Sequence, residues 1–407
     1  MITGLHLRRF KSFADTGTLE LRPLTLLVGA NATGKSNLRD AFRVIHGIGR
    51  GYSLVEIIEG KHGSGGEQLW AGVRGGQNEL GLVAVSRHSL VRVNGGSCIF
   101  EVNLEDAEHA KWTYSVTIDT SSLTIRDEKL SSTTNERFEY AFDVKQIGEN
   151  FINALCRQQG KRGRTISFKD DRPALAQIPE HRATDAELSV ACEVVLTALA
   201  STRFLDVSPD AVRKYVHPKQ TTLGDNGENL SAVLHALDED ARKGLLEWLD
   251  ELTPHDIRGF HFFENPQGHV LLGVLEADGR VISAFSMSDG SLRFLALVTL
   301  LMLGTKDQTL LLEEVENGIH PTRLGLLVRM LEQFSESTQI IASSHSPLVL
   351  KYLKESSWPG VLIFKRDEKT GHTIVRKLTD LPRLQEAIRH DNLEFLMATG
   401  WMEEAMS

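Results

Sequence analysis

The chain has 407 residues and a formal net charge of −9 at pH 7. This acidic balance argues against a protein that coats DNA non-specifically, although it leaves room for a local basic face. Three cysteines scattered without metal or redox spacing are typical of a reducing compartment. No apolar run reaches membrane-spanning length and residues 1–10 lack a signal-peptide stretch, so we expect a cytoplasmic protein with no membrane contact. From the length of the chain we expect two or three domains.

Near the start of the chain, residues 29–37 read GANATGKSN and fit the pattern G-x-x-x-x-G-K-[ST]. The apolar run 24–28 predicts a buried strand before them, and the apolar spacing over 38–48 predicts a helix after them. Such a turn binds phosphates because backbone N–H groups face inward at a helix N-terminus, where the dipole favours anions. Lys35 would contact the β- and γ-phosphates, and the Ser36 hydroxyl would ligate Mg²⁺. The alternative is a chance glycine turn with an exposed lysine.

The middle of the chain changes character twice. From about 77 to 145, short runs with turn residues between them predict antiparallel strands, at 81–85, 98–102, 112–118 and 123–125. From about 147 to 256 helical periodicity dominates, so we expect a compact helical lid there. Residues 270–274 and 281–285 then predict a hairpin.

Within the expected lid, six basic residues form a cluster: Arg157, Lys161, Arg162, Arg164, Lys169 and Arg172. Local positive charge on an acidic protein is typical of a contact with a phosphate backbone. A solvated loop explains the cluster at least as well, and no aromatic residues are interleaved for base stacking.

A second anion site is predicted at Ser288, Gly290 and Ser291, where small residues open an apolar helix. Because the loop at 29–37 already accounts for the triphosphate of its own chain, this site makes sense if it caps a nucleotide held by a neighbouring copy. Arg293 would add positive charge there. The alternative is an ordinary helix N-cap.

Two further buried strands are predicted to end in polar residues. The run 310–312 is followed by Glu313 and Glu314, and the run 339–342 leads to His345. Open α/β sheets bind ligands at such carboxyl ends. By position, Glu313 is the acid on the metal side and Glu314 the general base that polarises the attacking water, while His345 can donate to the γ-phosphate or to that water. A solvated acidic loop and a structural histidine would be preferred if each stretch stood alone.

In this order, the motifs resemble the ABC-type ATPase heads of the SMC, RecF and OLD group, and within it the compact bacterial AAA-family ATPases often linked to phage defence. Residues 29–37 match the Walker A motif of that group, 288–293 its signature motif and 313–321 its Walker B motif and D-loop, and His345 matches its switch histidine. Residues 2–13 resemble its first strand and turn. Two departures are Glu313 in place of aspartate and Val315 in place of proline.

The resemblance implies an α/β fold, an ABC-ATPase-like P-loop NTPase with a mixed or parallel core sheet, an antiparallel β subdomain and an inserted helical lid. It implies an N-terminal lobe over 1–146, the lid over 147–256 and a C-terminal lobe over 257–407. The implied cofactors are ATP and Mg²⁺. The implied site residues are Glu314 and His345 for catalysis, Ser36 and Glu313 for the metal, and Lys11, Asn31, Ala32, Thr33, Gly34, Lys35, Ser36, Asn37, Ser288, Gly290 and Ser291 for the nucleotide.

Two functions fit the resemblance. In the first, a homodimer or higher oligomer closes around ATP and gates a partner effector in anti-phage defence, and a Toprim-type nuclease encoded nearby is one candidate for that partner. In the second, a RecF- or SMC-like ATPase acts on DNA in repair or recombination. Residues beyond His345 contain no acidic D-x-D constellation, so we expect any nuclease to be a separate polypeptide. The first function is favoured slightly.

Overall fold

The computed structural model describes residues 1–66, 68–86, 89–92, 96–132, 141–146, 150–156, 163–252 and 257–406. The strands are β1 Ile2–Phe10, β2 Phe13–Glu20, β3 Leu24–Val28, β4 Lys61–His62, β5 Gln68–Trp70, β6 Val83–Ser86, β7 Ser89–Arg92, β8 Ser97–Glu105, β9 Lys111–Asp119, β10 Thr124–Ser132, β11 Phe142–Gln146, β12 Phe151–Cys156, β13 Arg164–Lys169, β14 Thr202–Leu205, β15 Ile257–Glu264, β16 Val270–Glu276, β17 Val281–Ser283, β18 Thr309–Leu312, β19 Gln339–Ser344, β20 Val361–Arg366 and β21 Thr373–Lys377. The helices are α1 Lys35–Gly49, α2 Leu54–Glu59, α3 Ala174–Gln177, α4 Ala186–Ala200, α5 Pro209–Val212, α6 Leu230–Ala236, α7 Glu239–Leu252, α8 Asp289–Leu303, α9 Leu324–Ser335, α10 Pro347–Tyr352, α11 Leu384–Ala387, α12 Leu393–Ala398 and α13 Trp401–Glu404.

The chain folds into two units that interleave along the sequence. The first unit comprises Met1–Arg22, Gly29–Thr202 and Leu362–Arg376, and the second comprises Pro23–Val28, Arg203–Val361 and Lys377–Ser407. The three-segment division expected from the sequence stays a prediction.

An antiparallel sheet of eight strands dominates the first unit, in the order β13-β12-β11-β10-β9-β8-β1-β2. Burial alternates residue by residue along β8 and β9, which is the pattern of a sheet with one face in the core. On that face Phe10 packs edge-on against Phe100, with ring centroids 5.0 Å apart. The strands predicted at 98–102, 112–118 and 123–125 are confirmed as β8, β9 and β10 of this sheet, although β8 and β10 continue to Glu105 and Ser132. The strand predicted at 81–85 is confirmed as β6, which pairs with β7 in a separate two-stranded sheet.

The expectation of a helical segment from 147 onward is wrong over its first part. Residues 151–156 and 164–169 are β12 and β13, and they extend the antiparallel sheet. The physical reason is a short period-two pattern in which Ile152, Ala154 and Cys156 are buried, which a helical reading of the longer segment obscures. Helices do predominate from 174 to 252.

The basic cluster expected at a phosphate backbone is only partly described, since Arg157, Lys161 and Arg162 lie outside the described residues. Arg172 forms a bidentate ion pair with Glu180, at 2.8 and 2.7 Å, and donates to the carbonyl of Gly51 at 2.8 Å. Its charge is therefore neutralised within the fold, which supports the structural interpretation for this residue.

A parallel sheet organises the second unit, with the strand order β14-β18-β19-β3. Strands β18, β19 and β3 run parallel, and every residue of the three is buried, as near-continuous apolar runs predict. In the same unit, β15, β16 and β17 form an antiparallel sheet that includes the predicted hairpin. None of the helices in the described ranges combines the length and apolarity that crossing a bilayer requires.

Candidate functional site

The loop between β3 and α1 has the backbone of a phosphate cradle. Three of its residues have left-handed dihedrals: Gly29 at φ 146°, Ala32 at φ 60° and Gly34 at φ 104°. A β-carbon on Gly34 would lie 2.2 Å from Thr373 Oγ1, and one on Gly29 would lie 2.3 Å from the carbonyl oxygen of Phe364. Both positions therefore require glycine, whereas Ala32 adopts the left-handed region at some cost in strain.

Lys35 is held inside this loop. Its ammonium donates to the carbonyl oxygens of Gly29 at 2.6 Å and Ala30 at 2.7 Å, and the residue is only 6% exposed. The next residue, Ser36, is exposed in the first turn of α1, a helix of 15 residues. A buried cation, an exposed hydroxyl and a helix N-terminus at one turn are the donor set that a triphosphate with Mg²⁺ requires.

Four residues fix the loop through a directional chain of hydrogen bonds. Asn37 Nδ2 donates to Ser12 Oγ at 2.7 Å, and Thr373 Oγ1 donates to the carbonyl of Thr33 at 2.7 Å. The two hydroxyls lie 2.7 Å apart, so Ser12 must donate to Thr373, whose only proton is already used. Sequence analysis placed Ser12 in a motif turn but missed Thr373, which carries no local signal.

Lys11, expected at the nucleotide, lies in a buried ion pair. Its ammonium donates to Asp40 Oδ2 at 2.5 Å and to the carbonyl of Arg74 at 2.7 Å. Burial lowers the pKa of Lys11, and Asp40 opposes this effect. Arg74 in turn donates to Asp40 at 3.1 Å and to the carbonyl of Ser36. The group therefore braces the first turns of α1, and a nucleotide contact by Lys11 stays a prediction.

In the second unit, the acidic and histidine loops leave one edge of the parallel sheet. Val28, the residue before Gly29, pairs in register with Ser344, the residue before His345. On the other side of β19, the Glu314 N–H donates to Ser343 Oγ at 3.1 Å. Glu314 has φ 47°, a left-handed conformation that is strained for a residue with a β-carbon. Strain of this kind clusters at functional sites.

The expected general base and switch histidine are neighbours. Glu314 Oε1 lies 3.7 Å from His345 Nε2, and Asn317 Nδ2 donates to the other oxygen of Glu314 at 3.1 Å. Glu316 has a different task, because its Oε1 accepts the backbone N–H groups of His345 at 2.6 Å and Ser346 at 3.2 Å. Its Oε2 is buried without a hydrogen-bond partner among the described residues and can accept one more donor. Glu314 and Glu316 therefore differ in their contacts, which the sequence does not show.

Glu313 and Glu314 also line a small cavity with Arg293 and Asn317. The remaining lining is mostly apolar and includes Leu205, Val207, Phe294, Leu297, Leu312, Val315 and Ile319. Arg293, expected to add charge at the second anion site, therefore lies beside the carboxylates of its own unit. Among the described residues no three His, Cys, Asp or Glu side chains are grouped to hold a metal.

The helix α8 begins as an exposed cap. Ser288 Oγ accepts the N–H of Ser291 at 3.1 Å, and the two hydroxyls lie 2.8 Å apart. Gly290 packs backbone against backbone on Gly318, in the loop that follows Glu314. The structure thus brings the start of α8, where the second anion site is predicted, into contact with the carboxylate loop of the same unit.

Comparison with known proteins gives a family and a fold. The model of a family described as "AAA domain, putative AbiEii toxin, Type IV TA system" matches residues 24–351. A crystal structure of an Smc head bound to the C-winged helix domain of ScpA is 12% identical, with a TM-score of 0.51, over 93% of this chain and 98% of that one. An Smc head with an extended coiled coil, bound to the C-terminal domain of ScpA from Pyrococcus furiosus, is 12% identical, with a TM-score of 0.52, over 95% and 99%. No protein of curated function matches the chain.

At these identities the two Smc heads establish the fold alone. The chain has the mixed α/β fold of an SMC-type ATPase head, with the parallel and antiparallel sheets that the sequence predicted.

Proposed function

This chain belongs to the AAA-domain family whose model it matches, and from that premise we propose that it is an ATPase that closes as a pair around ATP and gates a partner protein in anti-phage defence. The phosphate loop carries the proposal, because Gly29, Gly34 and Lys35 each have the conformation or contact that a triphosphate cradle requires. The family description, which names a putative toxin, supports a role in defence.

In the proposed mechanism, Lys35 neutralises the β- and γ-phosphates, and the Ser36 hydroxyl and the Glu313 carboxylate would hold Mg²⁺. Mg²⁺ supplies charge neutralisation when it is bound. Glu314 accepts the proton of the attacking water, and His345 donates a hydrogen bond on the phosphate side. Asn317 and Ser343 hold Glu314 in its strained conformation, so its carboxylate is positioned before the nucleotide arrives.

The proposed pairing rests on the exposed cap at Ser288 and Ser291. A cap whose hydroxyls face solvent can receive the γ-phosphate of a nucleotide bound by a second copy, which gives two composite sites related by a two-fold axis. The contact between Gly290 and Gly318 would transmit such a docking event to the loop that carries Glu314.

Mixing two inactive variants tests the pairing. We expect Ser288→Arg to bind ATP as a monomer without hydrolysing it, because the arginine side chain fills the cap. We expect Lys35→Ala to lose ATP binding. A mixture should regain turnover, since one composite site per heterodimer then has both an intact loop and an intact cap. A stable mixed dimer without turnover would contradict the composite site, whereas turnover by Ser288→Arg alone would show that each chain hydrolyses by itself.

The proposed output is the capture or release of a second protein when the pair closes. Closure driven by the γ-phosphate is a two-state element that a partner can read. The two Smc heads of this fold are bound to domains of ScpA, which supports the ability of the fold to hold a partner.

The output is tested with Glu314→Gln, which we expect to trap the closed pair. The amount of a native-host protein that co-purifies with Glu314→Gln in ATP should differ from the amount that co-purifies with Lys35→Ala. ATPase rates with and without duplex DNA, at two salt concentrations, provide the comparison. Strong duplex stimulation with no co-purifying protein would replace the gating proposal with a DNA-directed ATPase.

A further inference from the structure

Two pairs of aromatic rings lie in the second unit, outside the residues assigned to ATP, and each includes a neighbour of Val216. Tyr215 and Phe285 have ring centroids 6.4 Å apart, and those of His217 and His269 are 6.0 Å apart. Between them, Val216 exchanges two backbone hydrogen bonds with Val270, at 3.0 and 2.9 Å. The segment is therefore extended at Val216, and Tyr215 and His217 project to the same face. We name Tyr215, His217, His269 and Phe285 the ring face.

The ring face is accessible and flanked by positive charge. Phe285 is 58% exposed and Tyr215 37% exposed, which is unusual for rings of this size side by side. Lys214 and Lys219 border the same segment and are exposed. Lysines therefore lie on either side of exposed aromatic residues in this segment. The basic cluster at 157–172 has no such interleaved aromatic residues.

The ring face is also held by hydrogen bonds from Arg213, which pairs with two acidic residues. Arg213 donates to the carbonyls of Ala284 at 3.3 Å and Met287 at 2.9 Å, one on each side of Phe285 in the chain. The same guanidinium pairs with Asp289 at 2.6 Å and with Asp210 at 3.4 Å. Arg213 therefore offsets one of these two negative charges, and the exposed Lys214 and Lys219 add two positive charges to this segment.

We propose that the ring face binds single-stranded nucleic acid. Unpaired bases stack on exposed aromatic rings whatever their sequence, and lysine ammonium groups neutralise the phosphates between them. A duplex would not fit this chemistry, because its bases are stacked on one another and do not present their faces. The inference goes beyond the proposed ATPase and does not depend on it, since no residue of the phosphate loop takes part.

Fluorescence anisotropy with labelled 20-residue oligothymidylate and oligouridylate tests the proposal. The full chain should bind one or both at low salt, and Lys35→Ala should bind equally well, which separates this test from any failure of the ATPase. Tyr215→Ala and Phe285→Ala should each weaken binding by about tenfold or more, because each removes a stacked base. Phe285→Leu should also weaken it, since leucine keeps apolar area but cannot stack, whereas Phe285→Trp should restore it.

Matched controls separate stacking and charge from general surface effects. Phe395→Ala removes a ring that is 51% exposed on α12 and should leave binding unchanged. Lys214→Ala with Lys219→Ala should reduce the slope of log K against log salt by about 1.4, the value for two phosphate contacts on a single strand, while Lys306→Ala with Lys369→Ala should not.

Three outcomes would overturn the proposal. One is that the full chain does not bind either oligonucleotide at low salt. A second is that Tyr215→Ala and Phe285→Ala bind like Phe395→Ala. The third is that these two variants lose self-association with ATP while keeping oligonucleotide binding, which would assign the ring face to a second copy of the chain.

Discussion

Gly290 and Gly318 touch through their backbones: a β-carbon on Gly290 would lie 2.2 Å from the carbonyl oxygen of Gly318, and one on Gly318 would lie 2.4 Å from Gly290 Cα. Gly318 also has φ 81°, a left-handed conformation. The start of α8 and the loop after Glu314 therefore have no side chain between them. Neither segment can move far without displacing the other.

A methyl group at Gly290 tests this contact. Gly290→Ala should lower the free energy of unfolding by about 1–3 kcal/mol and reduce ATPase activity, because backbone atoms cannot move aside as a flexible side chain would. Gly259→Ala is the matched control, since its β-carbon would meet nothing closer than 4.0 Å. The measurements are thermal unfolding and ATP turnover of both variants. Equal stability and turnover for the two would show that the backbones of Gly290 and Gly318 do not touch.

Substitution of Glu314 and Glu316 should separate chemistry from positioning. Glu314→Gln should keep ATP affinity and lose turnover by at least 100-fold, because an amide cannot accept the proton of the attacking water. Glu316→Gln should keep most activity, since its carbonyl oxygen can still accept the N–H groups of His345 and Ser346. The measurements are nucleotide binding and single-turnover hydrolysis. Wild-type turnover by Glu314→Gln would move the general base to another residue.

The Thr373 hydroxyl should matter for nucleotide affinity although the residue lies far from the motif in sequence. Thr373→Val keeps the shape but leaves the Thr33 carbonyl without its donor, so the loop should loosen and stability should fall by about 1–3 kcal/mol. Thr373→Ser keeps the hydroxyl and should behave like wild type. Calorimetric titration of both variants with ATP is the measurement, and identical affinities would exclude a positioning role.

The elements that the sequence predicted correctly are those whose signal is local. Strand β3, the loop at Gly34 and helix α1 follow one another within 26 residues, and their order alone indicates a phosphate cradle. Thr373 and Arg74 could not be found in this way, because their roles arise from contacts 340 and 38 residues away along the chain. The lid was misjudged for a related reason, since pairing partners decide whether a short apolar run becomes a strand.

The buried carboxyl of Glu128 should make stability depend on pH. It is 1% exposed and accepts hydrogen bonds from the Tyr114 hydroxyl at 2.9 Å and from the backbone N–H groups of Ala174 at 2.6 Å and Leu175 at 2.9 Å. Burial raises the pKa of Glu128 from 4.5 to about 7, against the opposing effect of these donors. Between these two values the folded state holds a proton that the unfolded state has released. The free energy of unfolding should therefore fall as pH rises through this window, by at most about 1.4 kcal/mol per pH unit, and level off above it.

Glu128→Gln removes the titration while keeping one acceptor oxygen. The variant should be less stable overall, because its amide NH₂ replaces an acceptor oxygen and faces a donor, yet its stability should lose the downward slope between pH 4.5 and 7. Urea unfolding of both proteins at half-unit steps of pH measures the difference between the two slopes. Carboxyls such as Asp119, whose pKa is lowered, act in the opposite direction at lower pH and cancel in that difference. Parallel slopes for the two proteins would show that Glu128 is ionised in the fold, with its three donors outweighing the effect of burial.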